Sequence, residues 1–319
     1  MSLNPFSADP EIRSRQERLA ASLGTRVGDD IARLVSGRAR HLDRNEGWVL
    51  LKQQADTLVA RYGLTGIEEL MLLALGAAKT IARPPISSFF VGAVGLERET
   101  GNLIFGGNLE FPGTHLGFTV HGEGFVFTRA HSRGTEIEIL AIGEAHPCAH
   151  CRQYLSEFAA TRDLVLIDPL GHRLTMAQLY PWPFDPGYLG QRGLEPKAEP
   201  FPILEMANHH LSPPVWMRLR TAGRRSYAPY SLCPGGVLLE LPGDKFITGS
   251  AIESVAFNPT MGPLQAALID LYAHGYEAAD IVRAVLVTEL GGKVDYSAST
   301  AELLGKVAPH VRLTIVGWA

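Results

Sequence analysis

Pro147-Cys148-Ala149-His150-Cys151-Arg152-Gln153, read together with His121-Gly122-Glu123 upstream, decides how this chain is to be understood. Zinc prefers imidazole and thiolate ligands, and a catalytic zinc keeps one coordination position for water by taking three from the protein. His121, Cys148 and Cys151 supply three. Pro147 predicts a helix opening there, with both thiols on its first turn, where the positive dipole end and free amides favour anionic sulfur. Glu123, two residues past the histidine and also near a helix start, can reach the water position without being a ligand. A C-x-x-C pair alone reads equally as half of a structural zinc site or as a redox motif. The preceding proline and the upstream His-x-Glu favour the catalytic reading. A structural site wants a fourth ligand; His150 points elsewhere from the helix, while spacing leaves His146 open.

Strands and helices alternate on either side of this stretch. Asp9-Pro10 predicts a capped helix. Gly47 to Tyr62 predicts a second, stopped by Gly63, and a third starts at Thr65 with Glu68 as its capping box and runs to about Ala82. Phe89 to Gly95 and Leu103 to Gly107 read as a hairpin across Glu99-Thr100-Gly101-Asn102. A helix from near Thr119, a strand at Ile137 to Ile142, the helix at Pro147, a strand at Leu164 to Ile167 and a short helix follow. That order implies a mixed sheet covered by helices. Tyr180 to Pro214 is rich in proline and aromatic residues, as a linker of fixed shape would be. The pattern then restarts: a hairpin (Gly236 to Leu241, Phe246 to Gly249), a helix (Pro263 to Ala273), a strand (Ala284 to Thr288), a helix (Ser299 to Val307) and a strand (Val311 to Val316). An internal duplication is expected.

The chain has 319 residues, enough for two domains at about 150 residues each. With 46% apolar and 19% charged residues, disorder is excluded as the dominant state. Lys+Arg 29 against Asp+Glu 33 gives a net charge of −4, which argues against a broad surface for nucleic-acid phosphates. Three cysteines cannot build a disulfide framework, and the Cys148/Cys151 pair suits a reducing compartment. The opening MSLNPFSADPEIRSRQ lacks the apolar run of a secretion signal. Ile67 to Ile81, the most apolar stretch, is interrupted by Glu68, Glu69 and Lys79 and is too short to span a bilayer. A cytoplasmic protein with no membrane or nucleic-acid partner is expected.

Ser88-Phe89-Phe90-Val91-Gly92-Ala93, Gly106-Gly107-Asn108-Leu109-Glu110 and the His121 and Cys148 motifs together resemble the zinc-dependent cytidine deaminase family. Length and the restarting pattern resemble its long, homodimeric class. The resemblance implies an α/β fold: a three-layer α/β/α sandwich with a mixed sheet, present as an active and a degenerate copy behind a helical N-terminal segment. The corresponding division is 1–63 helical segment, 64–180 catalytic domain, 181–214 linker and 215–319 degenerate domain.

It further implies zinc (Zn2+) on His121, Cys148 and Cys151, with Glu123 carrying protons. The implied reaction converts cytidine and 2′-deoxycytidine to the uracil nucleosides and ammonia. Phe89 would flank the pyrimidine, Asn108 and Glu110 would bind the ribose 3′-hydroxyl, and the Gly122 backbone would contact the base. In a homodimer whose partner chain completes each pocket, Phe184 would be an aromatic contributed across the interface. Read without the resemblance, Phe184 is a linker residue packed on its own domain. The Ala256-Phe257-Asn258-Pro259 loop is a second interface candidate. The family usually carries alanine at the Gly122 position and a larger polar residue at Gly124, so the loop is looser or shaped for a different ligand. The alternatives are deamination of another amino-heterocycle or modified nucleoside, or a non-catalytic nucleoside-binding zinc scaffold, against which intact Glu123 counts.

In the second half, Gly249-Ser250-Ala251-Ile252-Glu253 takes the place of Gly106 to Glu110, and Tyr230-Ser231 that of Ser87-Ser88. Counting onward from Glu253 puts Leu264 where His121 stands and Ala266 where Glu123 stands. No cysteine follows Cys233. The second copy is expected to keep the fold and lack the chemistry.

Overall fold

Asp9 opens helix α1 (Pro10–Val35): its carboxylate accepts the Glu11 and Ile12 amides at 2.9 and 3.2 Å. The structure, a computed structural model, describes residues 8–35, 42–43, 45–143, 146–196, 201, 205 and 210–318. Much of the second half of the expected linker, including Pro200 and Pro202, lies outside the described residues.

The run from Gly47 departs from the expected helix. Val49–Leu50 forms a strand, β1, and helix α2 (Lys52–Tyr62) begins only after it, closing at Gly63 with φ +60°. Val49 and Leu50 pair antiparallel with Ile104 and Leu103, so an available sheet edge overrides helical spacing. Helix α3 (Ile67–Ala78) continues as a 3-10 turn over Lys79–Ile81. Glu69, rather than Glu68, returns to accept the Thr65 amide at 2.8 Å.

Strands β2 (Gly92–Glu97) and β3 (Leu103–Gly107) make the expected hairpin, but β2 begins at Gly92 and leaves Phe89 to Val91, expected on the strand, in the preceding loop. Helix α4 (Gly122–Arg133) starts later than Thr119, after a 3-10 turn at Leu116–Phe118. Then come β4 (Ile137–Ile142), α5 (Ala149–Leu155), β5 (Val165–Ile167), β6 (Arg173–Thr175) and α6 (Met176–Leu179). The sheet runs β1-β3-β2-β4-β5-β6, and only β4 and β5 are parallel. Two layers of helix cover it. A Cβ on Gly92 would meet Leu75 and Ala78 of α3, whereas the adjacent Ala93 lies against Gly122 of α4. Successive strand residues face opposite sides, so α3 and α4 pack on opposite faces.

The second unit repeats this plan. Helix α7 (Pro213–Arg224), β7 (Gly236–Leu241), β8 (Lys245–Ser250), α8 (Pro263–Ala273), β9 (Arg283–Thr288), α9 (Ser297–Val307) and β10 (Leu313–Gly317) form a sheet ordered β10-β9-β7-β8. Here too one pair, β9 and β10, is parallel. The sequence reading places the start of α7 in the linker. Its two prolines occupy the first positions of the helix, where no amide is needed.

The registers of the two copies correct the expected correspondence. Leu109 bridges Arg83 and Val120, and Ile252 bridges Tyr227 and Met261 in the same way. Val120 stands eleven residues after Leu109, but Met261 stands nine after Ile252, so the loop is two residues shorter. Gly262 therefore caps α8 as His121 caps α4, and Leu264 takes the place of Glu123. Likewise Ser231, not Tyr230, matches Ser87: each hydroxyl accepts the amide two residues on, at 3.0 Å from Phe89 or Cys233. Cys233 thus fills the place of Phe89. The second copy has neither ligand nor acid.

One apolar core runs through both units, with α4 packed on α8 and Arg129 paired to Asp270 at 3.1 Å. Among the described residues, no helix is long and apolar enough to cross a membrane.

Candidate active site

Two short sequence events bring the site together. The bridge between Leu109 and Val120 delivers His121 to the start of α4, where it adopts the extended cap conformation. Cys148 caps α5 in the same way, its sulfur accepting the Cys151 amide at 3.5 Å. Both helix N-termini then face one point, adding their positive ends to it. His121 Nδ1 lies 3.6 Å from Cys148 Sγ and 3.3 Å from Cys151 Sγ, and the three donor atoms all fall within 4.8 Å of one another. Tetrahedral zinc, with bonds of about 2.0 Å to nitrogen and 2.3 Å to sulfur, requires edges of about 3.5 Å. The donors fit that ion.

The two thiols differ in protonation. Hydrogen bonds from Cys151 and His121 hold the Cys148 thiol down at about 3, while its bond to Cys148 and its own burial push Cys151 up. A divalent cation displaces the remaining proton. No fourth ligand belongs to the group among the described residues. His150 turns to the Asn258 carbonyl at 3.1 Å, and His146, left open by spacing, turns to Asp168 at 2.8 Å. A coordination position is left for water.

Glu123 sits one residue into α4, is 3% exposed, and has its carboxyl facing the Cys151 thiol. Burial is the largest cause that raises its pKa above the ordinary carboxylate value. Gly122 lies with its backbone against the end of β2; a Cβ there would stand 3.1 Å from Ala93 Cβ.

Glu110 lies near enough to His121 for their charges to act on one another, and both Glu110 and Asn108 are engaged by their own chain. The Asn108 amide accepts from the Val91 amide and donates to the Phe89 carbonyl, each at 2.9 Å. Glu110 accepts the Ile86 and Ser87 amides at 2.9 Å and the Ser87 hydroxyl. Together they shape the 86–91 loop, which carries Ser88 at φ +56° and leaves Phe89 half-exposed.

Phe184 is bound to its own chain. Gln153, two residues past Cys151, takes its carbonyl at 2.8 Å and its amide at 3.2 Å, and Tyr180 donates to the same glutamine at 2.9 Å. The Phe184 ring stacks on Tyr188 at 5.6 Å and stays 42% exposed. Sequence reasoning missed Gln153, although it stands inside the quoted motif.

Gly124 lines a half-open cavity of about 200 Å³ together with His121, Cys151 and Tyr154, and with Pro259 and Met261 of the second unit. A Cβ on Gly124 would lie 3.6 Å from Met261 and 3.8 Å from Val120, ordinary contacts. Gly124→Ala is therefore expected to stabilise the protein by about 0.5–1 kcal/mol, since glycine is costly in a helix. Gly122→Ala, crowded against Ala93, should gain less or lose. A thermal melt of both variants checks this, and a lower melting temperature for Gly124→Ala contradicts it.

Fold and site together define a hydrolase built around zinc. Two family models, each described as the cytidine and deoxycytidylate deaminase zinc-binding region, match residues 65–167 and 194–301. The chain is similar to the cytidine deaminase of Vibrio atlanticus, 33% identical over 267 residues that cover 83% of this chain and 88% of that one. It is similar also to that of Shewanella baltica, 34% identical over 268 residues, with 84% and 88% covered. Among solved structures, a cytidine deaminase from Mycobacterium leprae is 28% identical with a TM-score of 0.33, covering 36% of this chain and 98% of its own. The chain belongs to the cytidine deaminase family, and zinc is its cofactor.

Proposed function

We propose that this chain hydrolyses cytidine, and 2′-deoxycytidine with it, to the uracil nucleoside and ammonia. The convergence of His121, Cys148 and Cys151 beside buried Glu123 carries the reading. Zinc held by these three side chains supplies Lewis acidity toward water. Glu123 takes a proton from the water that adds to C4 and passes it to the ring N3, then carries the second water proton to the amino group as the C4–N bond breaks and ammonia leaves. Phe89 flanks the pyrimidine from the loop that Asn108 holds. Each Asn108 amide atom and Glu110 Oε1 keep hydrogen-bonding capacity beyond their main-chain bonds, enough to take a ribose 3′-hydroxyl. That hydroxyl is common to both nucleosides.

The same reading includes a homodimer. Phe89, Phe90, Phe184 and Phe257 are 50%, 50%, 42% and 63% exposed, a set of aromatic surfaces suited to cover by a second copy. It includes a division into a catalytic unit over about 64–180 and a degenerate unit opening with α7. Cytoplasmic localisation accords with thiols that must stay reduced to bind metal. Ammonia release from cytidine, measured beside the free base cytosine and single-stranded DNA, tests the substrate. Turnover of cytidine, and of 2′-deoxycytidine assayed in parallel, without turnover of cytosine or DNA is expected; turnover of DNA, or of neither nucleoside, would sink it.

A further inference from the structure

A second group of metal-binding side chains stands apart from the first. His146, Asp168 and His172 each offer one donor atom, and these atoms fall within 4.8 Å of one another. None belongs to the His121 group. Asp168 follows β5 and sets the turn into β6: its Oδ1 accepts the Leu170 and His172 amides at 2.9 and 3.0 Å. Its other oxygen, Oδ2, faces both imidazoles, 2.8 Å from His146 Nε2 and 2.7 Å from His172 Nδ1. The two rings stand edge to face, 5.1 Å apart at 69°, which lets both converge on that oxygen. Asp168 and His172 are 7% and 12% exposed, while His146 at 40% leaves an entry path from solvent.

We propose that His146, Asp168 and His172 form a second, distinct divalent-cation site of the zinc class. Two imidazole nitrogens and one carboxylate oxygen are a borderline-soft set that suits Zn2+, Co2+ or Ni2+ over Mg2+ or Ca2+. Tetrahedral bonds of about 2.0–2.2 Å need donor edges of about 3.3–3.5 Å, so the present hydrogen-bonded trio must spread by several tenths of an ångström. The cation takes a lone pair from His146 Nε2 and from His172 Nδ1, so each neutral ring carries its single proton on its other nitrogen when the ion is bound. Only Pro147 separates His146 from Cys148. An ion here clamps the residues entering α5 to the β5–β6 turn, and so holds the catalytic cysteine from behind.

The test loads tag-free full-length chain with excess Zn2+ or Co2+, removes free metal and counts what remains. About two equivalents per chain are expected, falling to about one in Asp168→Asn and in His172→Gln, with the thiolate-to-cobalt absorption retained. Cys148→Ser combined with Cys151→Ser should also leave about one, without that absorption. Should Asp168→Asn fail to fold, His146→Gln, altered on the solvent side, reads the same loss. A native chain that saturates at about one equivalent, or a second equivalent that survives both Asp168→Asn and His172→Gln, overturns the site.

Discussion

Glu123→Gln is expected to lower kcat for cytidine by about 10⁴-fold, at the upper end for loss of a positioned acid–base group, with zinc content and melting temperature nearly unchanged. Glutamine keeps the shape of the buried side chain and its place one residue into α4, so the packing around it survives. It cannot hold a proton at the position between the three metal-site donors and the approaching ring. The ligands His121, Cys148 and Cys151 are untouched, so metal binding persists and separates proton transfer from metal loss. KM should move far less than kcat, because the missing interaction acts chiefly in the transition state. Single-turnover ammonia release together with metal content measures both. Activity within about tenfold of the native chain would remove Glu123 from the proton path.

The metal group was legible because both of its halves are local. A proline and a capping cysteine just ahead of a helix with a second cysteine on its first turn, and a histidine and glutamate at another helix start, need only those helices to form. What Asn108 and Glu110 bind was not legible, since their partners Phe89 and Val91, Ile86 and Ser87, arrive from a loop that folds back over β3. The second copy separates the two roles. Glu253 holds the Tyr230 and Ser231 amides as Glu110 holds those of Ile86 and Ser87, yet this copy has no ligands. The glutamate therefore serves the loop in both copies. At the asparagine position the copy has Ala251, so that amide was lost along with the chemistry.

In the fold, the long apolar strands and the Gly63 stop read true. Strands β1 and β6, of two and three residues, are too short to show alternation and exist because a sheet edge accepts them. Counting residues between copies failed for a single physical reason, a loop two residues shorter. His146 and Asp168, like Glu157 and Tyr230, meet only through the finished tertiary structure.

Glu157→Ala is expected to lower stability by about 3–5 kcal/mol, the range for leaving a buried polar cluster without its charged partner. Glu157 lies just past α5 and is fully buried in the seam between the copies. Its carboxylate accepts the Tyr227 hydroxyl at 2.8 Å, the Tyr230 hydroxyl, and the Val255 amide at 2.8 Å, all from the second unit. Alanine strands these three donors, and Val255 is itself buried. Burial raises the carboxyl above its ordinary value of 4.5 even against those hydrogen bonds. The folded state therefore binds the proton more tightly than the unfolded chain does. The stability from Glu157 is fully present below the unfolded pKa and declines as pH rises through the folded one. Denaturant midpoints of native and variant chains should show the gap at its widest in mild acid and narrower toward neutrality. A gap that widens with pH, or stays below about 1 kcal/mol, contradicts the assignment. Because Val255 leads directly into Ala256-Phe257, the same variant should lose kcat/KM as well, and to a greater extent than its stability alone explains. That excess would show the degenerate copy, which has no ligands of its own, positioning a loop for the copy that has them.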